Sequence, residues 1–266
     1  EPQIAMNLHS VALPKEAIPV VLEYKNTTHP YYRIVKVTKK EYEEYRHLYR
    51  DDLITALNKK DPVHEEELQL PAETDYRKHQ TLIALPPLEN GIYYLLASYQ
   101  QDLKGSDNLL ALSFQVSNLG YITDQNHEKM TVTTVNRKTG KPMKGVTVEL
   151  CRNEYDYSKR QYKIVVVATK TSDDEGRVRL DGQPLNNAFF IYLRNDDDQL
   201  LTNTSYHLSR VYENTSTHYT TKIFTDRAIY RPGQTVYFQG VVTRQQAADL
   251  ALVNGYEERV RFMDAN

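Results

Sequence analysis

The stretch MTVTTVNRKTGKPMKGVTVEL, residues 130–150, decides the fold. It holds two β-rich runs, 130–135 and 146–150, joined by Thr139-Gly140-Lys141-Pro142. Val146, Val148 and Leu150 alternate with polar residues at a period of two, which places one face of a strand in a core. Gly140 and Pro142 supply the tight turn between the runs. Further runs at 164–168, 178–180 and 189–193 follow, separated by Asp173-Asp174-Glu175-Gly176 and Asn195-Asp196-Asp197-Asp198. Short strands at regular spacing with no helical period predict a β-sandwich over residues 118–213.

Working back towards the N-terminus, β-rich runs occur at 20–24, 31–37, 81–85 and 92–97. Leu110, Leu112, Phe114 and Val116 alternate with Ala111, Ser113, Gln115 and Ser117, which predicts a strand with one buried face and one wet face. Between the second and third runs, Tyr42, Tyr45, Tyr49, Leu53 and Ala56 recur at helical spacing among charged residues. One helix near 40–58 is expected, ended by Asp61-Pro62. Residues 1–117 therefore read as a first sandwich with a helix inserted.

Towards the C-terminus, the polar stretch 212–218 resembles a linker. Runs at 222–225, 235–242 and 259–263 follow, and Asp264-Ala265-Asn266 has turn character. Three or four strands do not close a sandwich, so residues 214–266 read as the truncated start of a third. Val236, Phe238, Val260 and Phe262 would then form an apolar face awaiting a neighbouring domain or a second chain.

Composition limits the function. Among 266 residues, 33 basic side chains oppose 35 acidic ones, a net charge of −2 that argues against nucleic-acid binding by bulk charge. The apolar fraction is 40%, enough for packed cores, and no apolar run reaches the ~18–20 residues of a membrane span. Tyrosine is abundant, 21 residues against no tryptophan, which favours strands. The single cysteine, Cys151, rules out an intrachain disulfide and a cysteine-based zinc site. The first ten residues lack the basic and apolar regions of a signal peptide, so the chain starts in the cytoplasm, after processing, or after trimming.

No stretch carries recognisable catalytic chemistry. His64-Glu65-Glu66-Glu67-Leu68 opens like a zinc-protease helix, but Leu68 stands where the second histidine belongs. Residues 140–145 lack phosphate-loop spacing. The acidic turns 173–175 and 196–198 do not match a calcium loop and read as ordinary surface turns. Cys151 reads as a bland, semi-buried thiol. Tyr31, Tyr32, Tyr93, Tyr94 and Tyr99 have the rings for a carbohydrate platform, yet packing is the better account of tyrosines in strands. Asn26, Asn203 and Asn214 sit in glycosylation sequons that read as chance matches in a threonine-rich chain. Catalytic, cofactor-binding and metal residues are all expected to be absent.

Two stretches resemble a known family. Residues 136–150 and 171–180 follow the "TGxPxxGxxVxL … TDxxGxxxL" pattern shared by many extracellular sandwiches, macroglobulin domains among them. Sharper is FTDRAIYRPGQTVYFQGVV, residues 224–242, which closely resembles the signature opening the MG2 domain of the α2-macroglobulin family, with Ala228 in place of the usual proline. The signature residues are Thr225, Asp226, Arg227, Ile229, Tyr230, Arg231, Pro232, Gly233, Gln234 and Val236. Pro232 and Gly233 make a turn, so the motif is structural. Asp75-Tyr76-Arg77-Lys78-His79 ahead of 88–96 is similar to Bacteroidetes-type bacterial homologues.

The resemblance implies an all-β fold of tandem immunoglobulin-like or fibronectin-III-like macroglobulin sandwiches. It implies an N-terminal scaffold fragment of a broad-spectrum endopeptidase inhibitor, not an enzyme and without active chemistry of its own. The expected place is the periplasm or cell envelope, as a lipoprotein, or outside the cell if unanchored. Expected partners are target proteases, through the parent molecule, and other macroglobulin domains of the same chain. No nucleic acid, membrane span or cofactor is expected. The other reading is an envelope adhesin-stalk or glycan- or protein-binding module.

Overall fold

The computed structural model describes the chain except residues 73–74, 100–102, 104–108, 127–128, 159, 181–187, 203, 209–215, 228, 232, 247–248, 262 and 264–266. Chain contacts divide it into two compact units, Glu1–Leu208 and Ser209–Asn266.

The first unit opens with β1 (Gln3–Leu8), β2 (Val11–Ala12), β3 (Ile18–Lys25) and β4 (Tyr31–Val37). Helices α1 (Lys39–Tyr45) and α2 (Arg50–Asn58) follow, then β5 (His64–Glu67), β6 (His79–Leu85), β7 (Gly91–Ser98) and β8 (Leu110–Val116). A three-stranded sheet, β1-β3-β6, faces a five-stranded sheet, β2-β8-β7-β4-β5. Between them lie Val20, Leu22, Ile34, Leu95 and Phe114.

The second part of the unit comprises β9 (Leu119–Asn126), β10 (Lys129–Asn136), β11 (Thr147–Asp156), β12 (Gln161–Thr171), β13 (Arg177–Arg179), β14 (Phe190–Asn195) and β15 (Asp198–Leu201). Sheets β13-β10-β9 and β12-β11-β14-β15 enclose Val132, Val148, Leu150, Val178 and Ile191. The alternation read in residues 130–150 is therefore the core pattern of this sandwich. At the turn before β13, Asp173 Oδ1 accepts from the N–H groups of Glu175 and Arg177. This is the Asx geometry that makes aspartate a turn residue.

A third core joins the two sandwiches. Along β7 every residue is buried: Tyr93, Leu95 and Ala97 point into the first sandwich, while Ile92, Tyr94 and Leu96 point outward. That outward set packs with Tyr42, Ile54 and Leu57 of the helices and with Cys151, Phe190 and Tyr192 of the four-stranded sheet. Each fully buried aliphatic or aromatic side chain of this kind is worth about 1.5–3 kcal/mol, so the seam is a core in its own right.

The structure corrects the sequence reading in several places. The expected wet face of β8 is not wet at its end: Gln115 is 4% exposed and Ser117 0%, because the second sandwich covers it. The helical region is two helices. After α1, His47 and Leu48 close tight turns onto the Glu44 and Tyr45 carbonyls, and Tyr49 turns extended to start α2. The break resets the helical phase, so Tyr49 is 87% exposed while Ile54 and Leu57 are buried.

The second unit is one antiparallel sheet, β16-β17-β18, of β16 (Thr217–Thr225), β17 (Phe238–Gln246) and β18 (Asp249–Leu252). The expected strand over 235–242 starts three residues later, at Phe238. The described part of 259–263 is not a strand. A strand needs a ladder for its backbone groups, and the three-stranded sheet of this unit is β16-β17-β18, with β18 paired to β17 over Thr243–Gln246. Val236 is half-buried and Phe238 and Val260 are exposed, whereas Phe262 lies outside the described residues. The expected linker 212–218 lies mostly outside them, and its last two residues open β16.

Candidate functional site

The signature residues form a loop tied together by Asp226. Its N–H donates to the Tyr237 carbonyl at 3.0 Å, and its Oδ1 accepts from the Tyr237 N–H at 3.2 Å and from the Tyr230 hydroxyl. The Tyr230 oxygen in turn accepts from the Arg227 N–H at 3.0 Å, while the Thr225 hydroxyl donates to the Arg227 carbonyl at 2.7 Å. Gln234 closes the other end, donating its N–H to the Arg231 carbonyl and accepting the Arg231 N–H on Oε1 at 2.9 Å. Gly233, at φ 84°, supplies the left-handed residue of that turn. Ile229 is 84% exposed, and Pro232 lies outside the described residues. The described residues of the stretch thus fix a loop by hydrogen bonds among themselves.

The other residues weighed for chemistry have structural employment. His64–Glu67 is a strand paired with β4, not a helix. The Tyr31 and Tyr32 hydroxyls donate to Glu65 and Glu66 at 2.5 and 2.7 Å. Their rings are buried and their polar tips reach the wet edge, as amphipathic aromatics do. Burial, then the Glu65 hydrogen bond, pushes the Tyr31 phenol up to about 12. Tyr93 and Tyr94 are also buried, so four of the five platform tyrosines are core residues. Asp198 uses Oδ2 to accept the Asn118 N–H at 2.8 Å. Cys151 is fully buried, and that burial pushes its thiol up to about 11, away from nucleophilic use. Among the described residues no group of three or more His, Cys, Asp or Glu side chains is arranged to hold a metal ion. Asn26 sits in an exposed turn; Asn203 and Asn214 lie outside the described residues.

Two features escaped the sequence reading. One is the polar cleft where the sandwiches meet, 390 Å³ in volume, lined by His9, Gln115, Tyr121, Arg137 and Thr202 among others. The other is a group of exposed tyrosines, Tyr155, Tyr157 and Tyr162, at the β11–β12 hairpin. Its signal lies in YDYSKRQY, residues 155–162, with tyrosines two apart on one arm and another across a polar turn.

Tandem immunoglobulin-like sandwiches of this form are the architecture of macroglobulin domains. The structure is similar to native alpha-2-macroglobulin from Escherichia coli spanning domains MG0-NIE-MG1, with a TM-score of 0.55 and 19% identity, covering 75% of this chain and 64% of that one. It is similar also to the E. coli fragment spanning NIE-MG1, with a TM-score of 0.51 and 19% identity, covering 75% of this chain and 96% of that one. The chain thus spans less than two-thirds of the longer fragment. No protein-family model matches the sequence, and no curated protein matches it. Among the described residues no helix is long and apolar enough to cross a membrane.

Proposed function

We propose that this chain is the N-terminal scaffold portion of a bacterial α2-macroglobulin-like protease trap, of the Bacteroidetes type, acting in the cell envelope. One observation carries the reading: three-quarters of the chain overlays nearly the whole of a two-domain α2-macroglobulin fragment. The signature loop at 225–236, followed by β17, supports it. In this reading residues 1–117 and 118–213 are the first two sandwiches and 214–266 opens an MG2 domain. The fragment positions other domains and performs no catalysis, and the capture of an endopeptidase belongs to the parent molecule.

The test is to challenge the full-length parent with proteases of unlike specificity and to follow its radius of gyration by small-angle scattering. Cleavage followed by compaction, with the protease retained, is the expected result. A parent that is left intact, or that is cut without changing shape or holding the protease, overturns the proposal.

A further inference from the structure

Exposed tyrosines scattered singly over a surface need no explanation, but a contiguous aromatic patch does. Tyr155 and Tyr162 are cross-strand partners near the tip of the β11–β12 hairpin, their ring centroids 5.1 Å apart at 70°. Tyr157 stands edge-on to Tyr155 at 5.1 Å and 83°. His47, from the turn after α1, stacks on Tyr162 at 5.5 Å and 23°. Despite these contacts Tyr155, Tyr157 and Tyr162 remain 40%, 85% and 54% exposed. Beside them, between the hairpin and α1, lies a cleft of 720 Å³, within the ~300–1,000 Å³ range of small-molecule sites.

The arrangement selects among ligands. The ring centroids are 5.1 Å apart, so a ligand is taken on the rings' outer faces and not between them. His47 covers one face of Tyr162, while Tyr157 is 85% exposed, and a flat aromatic face suits the C–H face of a pyranose. The cleft walls carry Lys40, Arg160 and Lys163 against Glu43 and Glu44, a nearly balanced mixture of donors and acceptors. That mixture suits a neutral ligand rich in hydroxyls better than a nucleic acid or a strongly charged peptide. The stacked, edge-on rings are also held in place before any ligand arrives, which lowers the ordering cost of binding.

We propose that this cleft binds a neutral oligosaccharide, with one pyranose ring on Tyr162 of the cleft wall, a second on Tyr157, which stands against the wall residue Tyr155, and hydroxyls meeting the charged side chains of the cleft wall. The site stands independently of the macroglobulin reading, which assigns no ligand to this hairpin.

The test is calorimetric titration of the 266-residue chain with cellohexaose, maltohexaose and chitohexaose. Saturable binding of at least one is expected, weakened about tenfold or more by Tyr157→Ala and by Tyr162→Ala. Tyr157→Phe, which keeps the ring, retains binding, and Tyr76→Ala, an exposed tyrosine elsewhere, leaves it unchanged. Unaltered circular dichroism in the alanine variants separates loss of site from loss of fold. Flat titrations with all three sugars overturn the proposal. So does sugar binding that survives removal of both rings, or a proline-rich peptide that binds through these rings where no sugar does.

Discussion

The side-chain amide of Gln115 pairs with both backbone groups of Leu201. Its Nε2 donates to the Leu201 carbonyl at 2.7 Å and its Oε1 accepts from the Leu201 N–H at 2.9 Å. The two residues belong to different sandwiches, and both are buried. The Gln115 backbone N–H meanwhile donates to the Ser10 carbonyl, so one residue holds three segments together. Gln115→Leu, similar in size but without polar atoms, leaves two buried backbone groups unpaired, and a loss of roughly 2–5 kcal/mol is expected in urea unfolding. Gln115→Glu is worse at neutral pH, because its carboxylate faces the Leu201 carbonyl. A Gln115→Leu variant within about 0.5 kcal/mol of the parent would show that the seam rests on its apolar contacts alone.

Gln115 also shows where the sequence stops being legible. Its position in an alternating run marks it as solvent-facing, and only the packing of β14 and β15 nearby makes it a buried polar pair. The same limit hid the seam tyrosines: Tyr94 and Tyr192 read as ordinary strand residues, and a sequence does not show that two sandwiches bury them jointly. Local chemistry was legible. The turns at 136–145 and 173–176, the core alternation of β11, and the hydrogen-bonding loop at 225–236 are each fixed within about a dozen residues. The break between α1 and α2 was not, because the tyrosine spacing runs through it unaltered while the backbone does not.

Glu41 predicts a pH dependence. Its carboxylate accepts from Lys60 at 2.5 Å and from the Thr38 N–H at 2.8 Å, completing a capping box at the start of α1. The Lys60 bond, then the Thr38 backbone bond, holds its carboxyl down at about 2, against an ordinary value of 4.5. Because the folded value is the lower, the stabilisation is present above pH 4.5 and is lost as pH falls towards 2. Glu41→Gln should cost about 1 kcal/mol at pH 7, a gap that closes on acidification in parallel unfolding curves. A gap that stays constant from pH 7 to pH 2.5 would mean that the charge of Glu41 does not stabilise the fold.

Cys151 should be inert while the chain is folded. It lies on β11 at the bulge after Leu150, with no exposed surface and its thiol pushed up to about 11 by burial. Reaction with a disulfide reagent at pH 8 should therefore run roughly a hundredfold or more slower than in urea-unfolded chain. Equal rates in the two states would place Cys151 outside the seam.

Asp226 should govern the order of the signature loop rather than global stability, since its partners Tyr230 and Tyr237 lie in the same loop. Asp226→Ala should speed hydrogen exchange at the Tyr237 amide about tenfold or more, while Asp226→Asn, which keeps an acceptor, falls between. Unchanged exchange in the alanine variant would show that the loop is held by other contacts.

Two glycines with nearly the same backbone separate conformational strain from crowding. Gly140 and Gly176 have φ of 70° and 73°, so alanine at either incurs the left-handed penalty of about 1–2 kcal/mol. A Cβ at Gly140 meets nothing within 4 Å, whereas at Gly176 it falls 2.6 Å from the Thr134 carbonyl oxygen and 3.0 Å from the Met143 nitrogen. The neighbours are not free to retreat, because the Thr134 N–H donates to the Gly176 carbonyl at 2.7 Å and the Met143 N–H to the Thr134 carbonyl at 2.9 Å. Gly176→Ala should therefore cost about 1–3 kcal/mol more than Gly140→Ala, read as a lower urea midpoint at unchanged slope. Equal midpoints for the two variants would mean that the hairpins at 134–143 and 173–177 are not packed backbone against backbone.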